Sequence, residues 1–97
     1  MRVLFTPRAE THLSKIYDYV ALHSNEDRAG AFVRRIIAYC GGFATFPERG
    51  ARRDDLLPGL RTIGFERSIT IAFIVMPTAV LIEGIHYGGQ DYETVYL

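Results

Sequence analysis

Leu57–Tyr87 reads LPGLRTIGFERSITIAFIVMPTAVLIEGIHY, and its hydrophobic period decides the fold. Leu57-Pro58-Gly59 is a turn signal, and beyond it the apolar residues follow the two-residue repeat of strands. Leu60 to Phe65 is expected to be one strand, Arg67 to Met76 a second and Ala79 to Tyr87 a third. Glu66 or its neighbours make a tight connection, and Pro77-Thr78 makes a short hairpin turn. Connections this short force the strands to run antiparallel. On the middle strand Ile69, Ile71, Phe73 and Val75 point one way, while Ala72, Ile74 and Met76 point the other. The second set is not polar, so that face either meets a partner or is buried by curvature of the sheet.

Upstream the period changes to that of helices. Arg2 to Phe5 is a short candidate strand, and Thr6-Pro7 supplies an N-cap followed by proline at the first helical position. Ala9, Leu13, Ile16, Tyr17 and Val20 then form one apolar stripe, which ends near His23. Ser24 is expected to cap a second helix, with Asp27 three residues on complementing the helix dipole. Its stripe is Ala29, Phe32, Val33, Ile36, Ile37, Cys40 and Phe43 or Ala44. Gly41-Gly42 weakens it, since each glycine costs about 1 kcal/mol in a helix interior. Two helices joined this closely form an antiparallel hairpin. Arg49 to Asp55 reads as a polar connection, and Tyr92 to Leu97 as a final strand or a tail over the sheet. The fold class is therefore α+β in two layers, a helical hairpin on a mainly antiparallel sheet, in the order β-α-α-β-β-β.

The 97 residues are read as one domain, 1–97. With 48% hydrophobic and 23% charged residues, disorder over most of the length is excluded. Cys40 is the sole cysteine, which rules out disulfides and any cysteine-based zinc site, and no other metal motif is present. No secretory signal is read in the first residues, and the most apolar run, Ile69 to Ile82, falls short of the roughly 20 residues of a membrane span. The expected location is the cytoplasm, without membrane contact. Eleven basic and eleven acidic residues cancel, which argues against a protein whose main work is holding nucleic-acid phosphates. Lys15 is the only lysine; every other cation is an arginine, suited to carboxylate, phosphate and aromatic partners.

Pro7-x-Ala9 followed by Leu13-x-x-Ile16-x-x-Tyr19 resembles the first helix of the ParE/RelE toxin superfamily. Phe46-Pro47-x-x-Gly50 with Arg52 or Arg53 resembles its P-x-x-G-x-R connection, and Leu57-Pro58-Gly59-Leu60-Arg61 its L-x-x-G-L-R strand entry. Arg67 to Phe73 sits where the superfamily writes its hydrophobic central strand, and Ile82 to His86 resembles the last long strand. The resemblance implies the toxin of a type II toxin–antitoxin system, a cause of growth arrest and plasmid stabilisation, neutralised by a cognate ParD-like antitoxin whose C-terminal segment folds on the helices and sheet. RelE-like members cleave messenger RNA on the ribosome; ParE-like members inhibit DNA gyrase without cleaving anything.

Chemistry separates the two branches. Cleavage at a ribose 2′-hydroxyl needs a base, an acid and cations for a charged phosphorane. Carried over by resemblance, Arg61, His86 and Tyr96 are the catalytic candidates of a ribonuclease. The central-strand arginine is replaced by small or apolar residues between Thr70 and Phe73, and Gly88-Gly89-Gln90 stands where nucleases of the superfamily often place a basic residue. With the cationic set depleted, the ParE-like branch is expected: no catalytic residue, no cofactor, no direct nucleic acid. The partners would be the antitoxin, in a hetero-oligomer, and the gyrase A subunit. Arg49, Arg52, Arg53, Arg61 and Arg67 are then the candidates for contacting the target or an acidic antitoxin segment.

Overall fold

A computed structural model describes residues 1–88 and 91–96. The readings that fall on Gly89, Gln90 and Leu97 lie outside them. In chain order the elements are β1 (Arg2–Phe5), α1 (Pro7–His23), α2 (Glu26–Gly41), β2 (Ala51–Arg52), β3 (Leu60–Phe65), β4 (Ile69–Val75) and β5 (Ala79–Tyr87), with short 3₁₀ turns at Gly42–Ala44 and Tyr92–Tyr96. The sheet order is β1-β5-β4-β3-β2. β1 runs parallel to β5, and the remaining pairs are antiparallel.

Local chemistry explains the helix ends. Thr6 caps α1 by accepting a hydrogen bond from the Ala9 amide at 3.2 Å. At α2 the expected cap, Ser24, is displaced by Asn25, whose Oδ1 accepts from the Arg28 amide at 2.8 Å. Ser24 instead closes α1. Two consecutive cap-forming residues were present, and the one nearer the first helical turn won. At Gly41-Gly42 the α-helix ends and tightens into a 3₁₀ turn.

Both helices pack on one face of the sheet. Ala9 and Ile16 of α1, Phe32, Ile36 and Cys40 of α2, and Phe43 meet Ile69, Ile71, Phe73, Val80, Ile82 and Ile85. Phe43 stacks on Phe73 with ring centroids 4.4 Å apart. Ile37, placed on the stripe by its spacing, is 43% exposed and turns outward. The opposite sheet face is closed by the chain itself. Leu56, Leu57 and the Tyr92–Tyr96 turn cover Leu60, Ala72 and Ile74. The C-terminal segment is therefore a turn over the sheet rather than a strand. β2, two residues paired with Arg61 and Thr62, lies inside the segment read as a polar connection.

Candidate functional site

β1 stops at Phe5, opposite Ile82, so the second half of β5 has no strand beside it on that edge. The start of α1 occupies the place. The Thr6 amide donates to the Ile82 carbonyl at 3.1 Å, and its hydroxyl donates to the Glu83 carbonyl at 3.4 Å. One turn further on, His12 Nδ1 accepts a hydrogen bond from the Ile85 amide at 3.0 Å. An amide can only donate, so Nδ1 carries no proton. Burial, Arg8 and Lys15 also hold the His12 pKa below its ordinary value.

A register shift beside Gly84 resets the last turn of β5. Ile85 and Tyr87 face the helices, and His86 faces the other side. There the His86 Nε2 and the Tyr96 hydroxyl share a hydrogen bond of 2.7 Å. Tyr92 stacks on the His86 ring at 5.2 Å, while the His12 ring lies 4.9 Å from it. Arg8 lies over the Tyr96 ring at 5.6 Å. Burial first, then His12 and Arg8, push the His86 pKa down to about 4. Burial pushes the Tyr96 phenol up to about 12. Near neutral pH the pair is therefore imidazole against phenol, a poor base beside a poor acid. An open cleft of about 780 Å³ adjoins the pair, between His12, Ile16 and Tyr19 of α1 and Ile85, His86 and Tyr87 of β5, with Lys15 on its rim.

The predicted arginines lie elsewhere. Arg61 stands opposite Phe73 and shares its strand parity with Ile63 and Phe65, so it belongs to the helix side of the sheet, away from His86 and Tyr96. Its guanidinium donates to the Arg49 carbonyl at 3.3 Å. The Arg49 guanidinium itself lies over Tyr39, Phe43 and Phe46, 5.6–5.9 Å from each ring centre. Arg52 pairs with Asp54 at 3.2 Å on the surface. Arg53 forks onto both oxygens of Asp55 at 3.0 and 2.9 Å, and also reaches Glu93 at 3.0 Å and the Tyr92 hydroxyl at 3.3 Å. It braces the C-terminal turn, and its charge is matched by two carboxylates. Arg67 is exposed at the tip of the β3–β4 turn. The structure thus joins His86 to Tyr96 and leaves Arg61 out. Sequence reasoning missed Arg8 and His12, although their four-residue spacing puts them on one helix face. Among the described residues no cluster of three or more His, Cys, Asp or Glu is placed to hold a metal.

A family model described as the ParE toxin of the type II toxin-antitoxin system, parDE, matches residues 3–92. The chain belongs to the ParE toxin family. No curated protein matches it. Among solved structures it is similar to one titled as the chromosomal ParDE TA system from P. aeruginosa, at 26% identity and a TM-score of 0.79, covering 91% of this chain and 96% of that one. In this ParE chain the glycine of the P-x-x-G connection has a geometric cause. Gly50 sits at φ +71°, and a Cβ there would run into the Thr62 carbonyl oxygen.

Proposed function

We propose that this ParE-family toxin is neutralised by a ParD-like antitoxin and inhibits DNA gyrase through its A subunit, by protein contact and without bond chemistry of its own. The observation that carries the reading is the position of the predicted arginines away from the His86–Tyr96 pair. Arg61 belongs to the other sheet face, and the Arg53 guanidinium is matched by Asp55 and Glu93. The pair itself is held neutral, a poor base beside a poor acid, even with Arg8 over the Tyr96 ring. The groove between α1 and α2, walled by Leu13, Tyr17, Val33 and Ile37, is a suitable seat for part of an antitoxin. The test is purified gyrase with relaxed plasmid. Added toxin should abolish supercoiling or accumulate linear DNA, and pre-incubation with antitoxin should restore activity. Full gyrase activity at saturating toxin would refute the reading.

One observation favours a second reading. His86 and Tyr96 are in direct hydrogen-bond contact, with the Arg8 guanidinium close by. Ribosome-dependent RNA cleavage would use this pair with Arg8 as its neighbouring cation, since Arg61 belongs to the other sheet face. Primer extension on translated messages would then show cuts that disappear in Arg8→Ala. The gyrase reading expects no cuts.

A further inference from the structure

The sheet is complete without the C-terminal turn, Tyr92–Tyr96, which adds no strand to it. Among the described residues no backbone hydrogen bond joins this turn to the rest of the chain. Side chains hold it instead. Tyr92 and Tyr96 reach inward, while Glu93, Thr94 and Val95 are exposed. A 3₁₀ stretch this short has little stability of its own, so those contacts fix it in place.

Two anchors do the holding. The Arg53 guanidinium donates to the Glu93 carboxylate at 3.0 Å and to the Tyr92 hydroxyl at 3.3 Å. Its own amide is tied to the Leu60 carbonyl at 2.7 Å, which fixes this anchor to the body of the domain. At the other end the Tyr96 hydroxyl meets His86 Nε2 at 2.7 Å, with Arg8 of α1 over the Tyr96 ring. Beneath the turn lie Leu60 and Ala72, both fully buried, and the half-buried Ile74. Leu56 and Leu57 complete this small cluster, from a loop with its own backbone hydrogen bonds to the Arg53 carbonyl. The main core lies on the opposite sheet face and shares none of these residues. Lifting the turn thus withdraws two tyrosine rings from the small cluster and leaves the main core and every strand pair intact. Local openings of this kind require less free energy than unfolding a whole domain.

We propose that the Tyr92–Tyr96 turn is a strap, latched by Arg53 and His86, that detaches as a unit while the rest of the domain stays folded. The open state presents Leu60, Ala72 and Ile74 as an apolar strip on the sheet, with the His86 imidazole released from Tyr96 at its margin. The inference does not depend on the gyrase reading.

The chain carries its own reference for the test. Cys40, the sole cysteine, is fully buried in the main core, and burial pushes its thiol pKa up to about 12. A thiol reagent reaches it only when that core opens. Ala72→Cys sets a second thiol beneath the strap, and both are followed with excess Ellman's reagent at mildly alkaline pH. Without urea the new thiol should react at least about a hundredfold faster than Cys40. Low urea should barely change its rate yet steeply raise that of Cys40, because only global unfolding exposes a large surface. Leu60→Cys, which vacates space where Ala72→Cys fills it, should show the same gap. Equal rates and equal urea slopes for the new thiol and Cys40, in either folded variant, would overturn the strap. In the unaltered chain, chymotrypsin should cut beside Tyr92 or Tyr96 at a rate that low urea leaves unchanged. Cleavage there that tracks global unfolding would likewise overturn it.

Discussion

Gly84 stands opposite Ala72 on β4, where the two strands must leave room for the hydrogen bond beneath them. A Cβ at this position would come within 2.6 Å of His86 Nε2 and collide with the Tyr96 hydroxyl. The glycine is therefore required by the His86–Tyr96 pair and by the C-terminal turn that brings Tyr96 there. Gly84→Ala should destabilise the protein by about 2 kcal/mol, the usual penalty for overfilling a packed site. In a chain of this size that lowers the melting temperature by roughly 10 °C. Removing the hydroxyl with Tyr96→Phe takes away part of the clash, so Gly84→Ala should cost less in that background. The difference, read from a double-mutant cycle of urea denaturations, measures the coupling. Strict additivity would show that Gly84 serves some other purpose.

At the scale of elements, the α2 start distinguishes two adjacent candidates that a sequence pattern treats alike. Asn25 makes the cap, so Asn25→Ala should lose about 1 kcal/mol of stability, while Ser24→Ala should lose much less. Chemical denaturation of the two variants side by side decides it. Elements with a long hydrophobic period were legible in advance. The α1 stripe, the three late strands and the helix-facing set of Ile69, Ile71, Phe73 and Val75 stand where their spacing put them. The shortest features were not. β2 contributes two residues to the sheet, too few to show any period, and exists because Arg61 and Thr62 offer it an edge. Ile37 obeys helical spacing yet faces outward, because the sheet covers only an arc of α2 centred on Phe32, Ile36 and Cys40. The site was half legible. His86 and Tyr96 were both candidates, and they meet. Arg61 failed to join them because strand parity sends it to the helix side, and parity between distant strands depends on a register shift invisible in the sequence. His12 escaped notice because its role is to satisfy the Ile85 amide where β1 ends, a need that only the sheet topology creates.

For the molecule as a whole, the two neutral histidines link folding to pH. His86 is 5% exposed and flanked by His12, Arg8, Tyr92 and Tyr96. Its pKa is pushed from the ordinary 6.5 down to about 4, chiefly by burial. His12 moves in the same direction for the same leading reason. A folded-state pKa below the unfolded one means that the unfolded chain takes up protons first on acidification. The stabilisation is therefore complete above about pH 6.5 and is lost as pH falls toward 4. From His86 alone the loss approaches about 3 kcal/mol, a large part of the roughly 5–15 kcal/mol that holds a domain folded. Asp54, Asp55 and Glu66 also have lowered pKa values, held down first by hydrogen bonds from the Gly59 amide, Arg53 and Arg35, but they lie at the surface where solvent screens the effect. The urea midpoint should fall steadily between pH 7 and pH 4.5. His86→Gln, which has no proton to gain there, should start lower at pH 7 yet decline with a visibly shallower slope. A wild-type midpoint that stays level over this range would mean that the buried imidazoles take up protons as readily in the folded protein as in the unfolded chain, and the neutral pair would lose its basis.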